Sequence, residues 1–144
     1  MRTVFSWLAA ALLLGSPAVR AASWFALDTL GAGSGMAIEA DIDSLRQSNA
    51  RREVTVRVSY PDARRHPGGA WYRSVVATVE FECDGQQVDY RDAVFYAKAK
   101  GRGAVSTRES GRLATSDAAG ELLPPKNLEL LIRAACAKPT PAVR

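Results

Sequence analysis

The stretch WYRSVVATVEFEC, residues 71–83, decides the fold of this chain because its apolar and polar residues alternate. Five of its residues share one face: Val75, Ala77, Val79, Phe81 and Cys83. Thr78, Glu80 and Glu82 take the other face. A period of two is typical of a β-strand that buries one side. Cys83 therefore belongs to the side that points toward the core.

The second cysteine, Cys136, ends a short amphipathic helix that is predicted to begin at about Lys126. Pro124 and Pro125 suit its beginning. Its apolar stripe follows the i, i+3, i+4, i+7 spacing and consists of Leu128, Leu131, Ile132 and Ala135. Isolated helices need roughly 12–15 residues to be stable in water. We therefore predict that the helix packs on one face of the sheet, held there by a Cys83–Cys136 disulfide.

The first 21 residues have the three parts of a secretory signal peptide. Arg2 supplies the positive charge, WLAAALLL (residues 7–14) is the apolar run, and small residues precede a predicted cleavage after Ala21. The run is shorter than the about 20 residues that span a bilayer. Ser16 follows Leu-Leu-Gly, where a lipoprotein would carry its acylated cysteine. We expect an exported protein without a transmembrane or lipid anchor, located in the periplasm, at the cell surface or outside the cell.

The overall charge is modest once this leader is removed. The whole chain has 19 basic and 15 acidic residues, and Arg2 and Arg20 lie in the leader, which leaves 17 basic against 15 acidic residues, a net charge of +2. Its arginines are scattered among acidic residues, so nucleic acid is not an expected partner. The remaining length suits one domain. We predict a single domain at residues 22–138 and a disordered tail at 139–144.

Further strands flank the central one. Val54, Val56, Val58 and Tyr60 share a face of a predicted strand, Glu53–Tyr60. Four more strands are predicted at Trp24–Leu30, Met36–Ile42, Gln87–Ala97 and Gly103–Arg108. The alternation within the third of these is mixed, which indicates either a bulge or two partly covered faces. The fold class is therefore α+β, with an antiparallel sheet of about six strands.

The connections are also predicted from local signals. Asp84-Gly85 indicates a hairpin turn, and Asp43-Ser44-Leu45 indicates an Asx turn that ends a strand. The polar segment Pro61–Gly69 is expected to be an exposed, mobile connection. Residues 109–120, rich in Ser, Thr, Gly and Ala, are expected to form a loop. Gly31–Gly35 precedes a strand rather than a helix, so we interpret it as a flexible turn and not as a phosphate loop.

Four carboxylates offer the only pattern with catalytic potential, because they stand two apart in pairs: Asp41 with Asp43, and Glu80 with Glu82. Residues two apart on a strand share a face, so a carboxylate dyad is geometrically possible. A solvated face crossed by arginines such as Arg57 explains the same spacing. We favour the solvated face, because exposed charges commonly have no more than that role.

The other candidate residues point to no chemistry. His66, the only histidine, lies between two residues that cannot orient its ring, so no catalytic triad is expected. Two cysteines and one histidine do not fill a four-coordinate zinc site without carboxylate help. Trp24, Trp71 and Tyr72 lie near strand ends, where aromatic side chains often make contacts, although core packing is the commoner role. We predict no catalytic residue, metal site or cofactor.

Several features, taken in order, resemble the bacterial surface-adhesin protein E family. They are Trp24 on a first strand, the segment Asp41–Arg46, the valine-rich strand Glu53–Tyr60, Tyr72-Arg73-Ser74 leading to Val79-Glu80-Phe81-Glu82-Cys83, Tyr96 ahead of Gly101–Gly103 and Val105, and Pro124-Pro125-Lys126-Asn127 opening a helix that Cys136 closes. Leu122-Leu123 stands where the family tends to carry tryptophan, and Asn127 where it carries serine. The resemblance covers nearly all of the chain after the leader.

The resemblance implies a curved antiparallel sheet with the C-terminal helix stapled across one face. It also implies binding to host matrix or serum proteins, so the leading hypothesis is a non-enzymatic binding protein with a host or envelope protein as its partner. One alternative is a small periplasmic hydrolase or hydrolase inhibitor that uses Asp41, Asp43, Glu80 and Glu82. Another is a structural envelope protein, in which paired edge strands form a homodimer. No individual binding residue follows from the sequence.

Overall fold

The computed structural model describes residues 21–27, 35–84, 87–113 and 122–137. In this part of the chain, six antiparallel strands lie side by side in chain order in one open sheet, and one helix follows. The elements are β1 (Trp24–Ala26), β2 (Ala37–Ser48), β3 (Arg51–Arg65), β4 (Trp71–Glu82), β5 (Val88–Lys98), β6 (Arg102–Arg112) and α1 (Pro125–Cys136). The predicted α+β class with a six-stranded antiparallel sheet is confirmed. The predicted signal peptide, the glycine-rich turn and the C-terminal tail lie outside the described residues, apart from Ala21 and Gly35.

The centre of the core lies between β3 and β4, where the predicted alternation holds. Three facing pairs occupy this centre: Val54 with Val79, Val56 with Ala77, and Val58 with Val75. Each of these side chains is at most 3% exposed. Burying one valine contributes roughly 1.5–3 kcal/mol, so the central pair of strands carries much of the hydrophobic stabilisation.

The connection between these two strands differs from the prediction. Instead of a loop over Pro61–Gly69, β3 continues to Arg65 and a tight turn follows. The His66 N–H donates to the Ala70 carbonyl at 2.8 Å, and the Gly69 N–H donates to the His66 carbonyl at 2.7 Å. Gly69 has a φ of +94°, a conformation that favours glycine. The turn residues therefore close a long hairpin.

The predicted Asx turn at Asp43-Ser44-Leu45 is wrong, because β2 continues to Ser48 through an irregularity between Asp41 and Arg46. The Ser44 hydroxyl donates to the Asp41 carbonyl at 2.7 Å and accepts the Thr55 N–H at 2.8 Å. Where the register of β2 and β3 shifts, the Ser44 hydroxyl therefore accepts the Thr55 N–H in place of a backbone carbonyl. The polar residues support a bulge rather than the end of a strand.

Two further expectations concern the last strands. Residues 109–112 belong to β6 and do not begin a loop as predicted, whereas most of the remaining predicted loop lies outside the described residues. The mixed alternation of β5 has the first of its two predicted causes, a bulge, since the register of β5 shifts against both β4 and β6. Such bulges bend a strand and increase its twist.

Helix α1 begins one residue earlier than predicted, with Pro125 as its first residue and Pro124 preceding it. Proline fits there because the first helical N–H groups have no partner within the helix. A disulfide joins Cys136, the last helical residue, to Cys83 after β4, with the two Cα atoms 5.7 Å apart. Native disulfides span roughly 4.4–6.8 Å between these atoms. Among the described residues, no helix has both the length and the apolar character that crossing a membrane requires.

Candidate binding surfaces

The two predicted carboxylate pairs lie on different strands. Strand β3 lies between β2, which carries Asp41 and Asp43, and β4, which carries Glu80 and Glu82. The axes of β2 and β4 are therefore about 10 Å apart. Asp41 has a local role, since its Oδ1 accepts the N–H groups of Ser23 at 3.2 Å and Asp43 at 3.1 Å. The four side chains do not form a single site.

Glu80 is the centre of an ion-pair network on the outer face, the side of the sheet opposite the buried valines. Its two oxygens accept Nη1 of Arg51 and Nη1 of Arg91, each at 3.0 Å. Arg51 also pairs with Glu82 at 3.4 Å. The depression that both glutamates line has a volume of about 10 Å³, room for about one water molecule. This part of the outer face is the solvated charged surface that the sequence favours.

Arg57 departs from the prediction of a solvated arginine. Its side chain is 13% exposed and pairs with Glu39 at 2.7 Å. Its guanidinium also lies 4.1 Å from the centre of the Trp24 ring and donates to the Lys100 carbonyl at 3.2 Å. Arg57 therefore joins β1, β2 and the turn after β5. No local sequence signal marks this role, because its three partners come from distant segments.

Tyr72 takes the core role that burial statistics favour. Its ring packs edge-on against Tyr60 and Phe95, with ring centres 5.8 and 4.9 Å apart. The His66 ring packs against the same Phe95 at 4.8 Å. His66 Nδ1 accepts the Gly68 N–H at 3.0 Å, which places the ring proton on Nε2, where it is donated to Glu109 at 2.5 Å. His66 thus ties the hairpin turn to β6.

Two large apolar side chains remain on the surface at the edge where β1 pairs with β2. Phe25 is 58% exposed and Ile42 is 55% exposed. In the register that pairs Trp24 with Asp41, Phe25 lies opposite Ala40. Ile42 is two residues further along β2 than Ala40, so Phe25 and Ile42 are diagonal neighbours on one face. Sequence reasoning missed this pair. Ile42 alternates in phase with the buried Ala40, so the pattern alone places it in the core.

No group of three or more His, Cys, Asp or Glu side chains in the described part of the chain is arranged to hold a metal ion. Within the same residues, every buried side-chain nitrogen and oxygen has a hydrogen-bond partner. These polar groups are therefore used in holding the fold together.

Comparison with known families identifies the relatives of this sheet and helix. A model of the surface-adhesin protein E family matches residues 24–137, from β1 to the residue after α1. The chain belongs to the surface-adhesin protein E family. The resemblance carried by the sequence is thereby confirmed, and membership supports the function of a surface adhesin. A search of curated proteins finds no match.

Solved structures of protein E from Haemophilus influenzae are similar to this surface-adhesin protein E family member. The selenomethionine form is 17% identical, with 69% of this chain and 78% of that chain covered and a TM-score of 0.46. Crystal form II is 16% identical, with 69% and 79% covered and a TM-score of 0.45. A third structure is 17% identical, with 67% and 76% covered and a TM-score of 0.42.

The positions at which the chain departs from the surface-adhesin protein E pattern have structural roles. Leu122 and Leu123 are 2% and 4% exposed and belong to the hydrophobic core. The Asn127 side chain donates to the Leu27 carbonyl at 2.9 Å. Asn127 thereby joins the first turn of α1 to Leu27, the residue that follows β1.

Proposed function

We propose that the chain is a non-enzymatic, exported adhesin that binds host matrix or bacterial envelope proteins through the edge formed by β1 and β2. The match to the surface-adhesin protein E family over residues 24–137 carries the proposal of adhesion. Export agrees with the signal peptide predicted at residues 1–21. It also agrees with the disulfide, since such bonds persist in oxidising compartments.

We further infer that α1 covers one face of the sheet and that residues 22–138 form one domain. Leu131 of the helix is buried in the same cluster as the valines of β3 and β4. Arg52 Nε of β3 donates to the Ala135 carbonyl at 3.3 Å. Together with the disulfide, these contacts support a helix held against the sheet. The outer face and the sheet edges then remain for a partner.

The β1–β2 edge is the better of these surfaces for a protein partner. Aromatic side chains are enriched in protein interfaces, and complete burial of an exposed apolar side chain contributes roughly 1.5–3 kcal/mol, so a side chain that is little more than half exposed can contribute about 1 kcal/mol to a complex. Phe25 and Ile42 therefore supply two anchors. The outer face offers less, because its paired charges would lose water on binding.

The backbone at this edge adds a second means of contact. Strand β1 pairs with Glu39–Asp41, and Ile42 N–H donates to the Ser23 carbonyl. Beyond Ile42, no strand among the described residues pairs with the outer side of β2. An extended segment of a partner protein can hydrogen-bond there as an added strand.

The proposal is tested with a double variant, Phe25→Ser with Ile42→Ser, in oxidised protein that lacks the signal peptide. Binding to panels of matrix and envelope proteins is measured by surface plasmon resonance. We expect saturable binding to at least one protein and a loss of about 10- to 100-fold in the double variant.

Val105→Ser is the matched control, because Val105 is 41% exposed on the opposite edge strand, β6. It should leave the affinity unchanged. The absence of a saturable partner in both panels contradicts adhesion, and an equal loss in both variants contradicts the assignment of the edge. A homodimer stays a prediction, and light scattering on the wild-type protein measures its mass.

The hydrolase alternative has no observation in its favour. Asp41 is bonded to backbone N–H groups, and Glu80 and Glu82 are paired with Arg51 on the outer face. The depression shared by the two glutamates holds about one water molecule, and the larger grooves of about 290 and 410 Å³ beside it contain Glu80 as the single member of the four predicted carboxylates.

A further inference from the structure

One end of the sheet collects positive charge that the sequence scatters. We call it the turn end and define it as residues 60–73, the hairpin between β3 and β4, with residues 98–102, around the turn between β5 and β6. Its cationic residues are Arg64, Arg65, Arg73, Lys98, Lys100 and Arg102. Asp62 is the acidic residue within these limits. The balance is therefore +5 at one end of a chain whose net charge after the leader is small.

Two buried serines hold the two turns together. Ser59 and Ser74 lie opposite each other on β3 and β4 and are 6% and 0% exposed. The Lys100 N–H donates to the Ser59 hydroxyl, and the Gly101 N–H donates to the Ser74 hydroxyl, each at 2.9 Å. The Ser74 hydroxyl donates to the Lys98 carbonyl at 2.5 Å. These bonds hold the backbone of the second turn on β3 and β4, at the same end of the sheet as the hairpin.

The arginines of the turn end have no carboxylate partner among the described residues, unlike Arg51 and Arg91 of the outer face. Arg64 lies over the Tyr60 ring at 4.1 Å, and Arg65 lies 6.0 Å from the centre of the Trp71 ring. Arg73 donates to the Pro61 carbonyl at 2.6 Å. Each contact orients a guanidinium but neutralises none of its charge. Such oriented forks suit planar, multiply charged anionic groups.

Trp71 gives the turn end a second kind of contact. It is 61% exposed, the most exposed of the large apolar side chains in the described residues. In the register of β3 with β4 it lies directly opposite Arg65. The flat apolar face of an indole ring packs against the C–H groups of a sugar ring, and the neighbouring guanidinium binds an anionic substituent on that sugar.

We propose that the turn end binds a sulfated polysaccharide, with Arg65 and Arg73 on its sulfates and Trp71 on a sugar ring, since these three residues share a face of the hairpin whereas Arg64, opposite the buried Tyr72, lies on the other face. Concentrated basic patches are a known recognition feature for heparin-like chains and for nucleic acids. Of these two polyanions, an exported protein encounters heparin-like sulfated polysaccharides outside the cell. The exposed Trp71 also favours a saccharide over a nucleic acid, because its ring can pack on a sugar. The surface is separate from the β1–β2 edge, so this binding does not depend on the proposed protein partner.

A defined heparin oligosaccharide is the probe, and its affinity for the oxidised mature protein is measured by calorimetry at several salt concentrations. We expect saturable binding that weakens as salt rises. The double variant Arg65→Gln, Arg73→Gln should bind about 10-fold more weakly or worse, and its slope of log affinity against log salt should fall by about one per arginine removed.

Arg51→Gln, Arg133→Gln is the matched control, because it removes the same charge from exposed, ion-paired arginines. It should bind the oligosaccharide within about twofold of the wild type, since its changes lie away from the turn end. Melting curves of both double variants establish that they are folded. Equal losses in the two double variants overturn the assignment of the turn end.

Trp71→Ala separates a saccharide from a general polyanion. We expect it to weaken heparin binding and to leave the affinity for inorganic polyphosphate unchanged. No saturable heparin binding by the wild type overturns the proposal. Tighter binding of a DNA duplex than of heparin at the same salt concentration overturns it as well, in favour of a nucleic-acid site.

Discussion

At the scale of single residues, Arg57 is half-buried among its partners although its strand position looks solvent-facing. It pairs with Glu39 and stacks on Trp24 while both charged side chains are less than one-fifth exposed. A carboxylate in that environment depends on its partner, because water cannot fully replace the guanidinium. The stability of the β1 edge should therefore depend on this one side chain.

Replacing Arg57 with Met should lower the free energy of unfolding by about 2–4 kcal/mol, because Glu39 loses its partner and Trp24 its cation. Urea denaturation followed by tryptophan fluorescence measures the change. Arg133→Met is the control, since that side chain is 75% exposed in a helical pair with Glu129. It should cost less than about 0.5 kcal/mol. Similar small losses in both variants would show that Arg57 is merely a surface charge.

The raised pKa of Tyr60 predicts how the stability of the fold depends on pH. Burial is the largest cause that raises the pKa of Tyr60 from 10.0 to about 12, with Tyr72 adding to the rise and Arg64 opposing it. Below pH 10 the phenol is neutral in the folded and unfolded states, so its contribution is complete. As pH rises toward 12, the unfolded chain releases the proton first, and roughly 2–3 kcal/mol of stability is lost.

Tyr60→Phe should remove this component, so the stability of the wild type relative to the variant should fall by roughly 2–3 kcal/mol from pH 8 to pH 12. Chemical denaturation at the two pH values measures it. A constant difference would mean that the phenol titrates normally in the folded protein.

At the scale of secondary-structure elements, the disulfide between Cys83 and Cys136 holds the short helix. It closes a segment of 53 residues. Replacing both cysteines with Ala should lower the free energy of unfolding by about 4 kcal/mol in the chain-entropy model. Melting curves measure this loss, and reduced wild-type protein should match the variant. Two free thiols titrating in oxidised protein would contradict the pairing.

The strands and the helix were predictable because their signals are local. The alternation in residues 71–83 and the stripe through Leu131 each identify an element and its buried side. The irregularity in β2 was not predictable, since Ser44 supports it through a bond to Thr55 on the next strand. The contact between the β3–β4 turn and β6 was likewise not predictable, since it joins His66 to Glu109, 43 residues further along the chain.

At the scale of the whole molecule, both proposed surfaces arise from tertiary neighbours. Phe25 and Ile42 are separated along the chain and become one exposed pair only through the register of β1 with β2. The two turns of the turn end lie at one end of the sheet because Ser59 and Ser74 hold the backbone of the second turn. Sequence alone gave the family and the absence of a catalytic pattern as expectations. It could not locate a binding surface, because exposure depends on what packs beside each residue.

The opposite edge of the sheet, formed by β6, is poorly suited to pairing with a further strand. Strand β6 shows three shifts of register against β5, and Gly103 and Gly111 have φ values of +80° and +78°. Irregular edge strands make poor templates for another strand. Strand β2 has one irregularity of its own, between Asp41 and Arg46, so the choice of the β1–β2 edge rests on the exposed side chains of Phe25 and Ile42.

We propose that this protein acts as an adhesin at the cell surface. The most direct test is labelling of intact and permeabilised bacteria that express the full chain, with an antibody raised against the mature protein. We predict that intact cells are labelled as strongly as permeabilised cells. Labelling that appears only after permeabilisation would confine the protein to the periplasm and contradict the account.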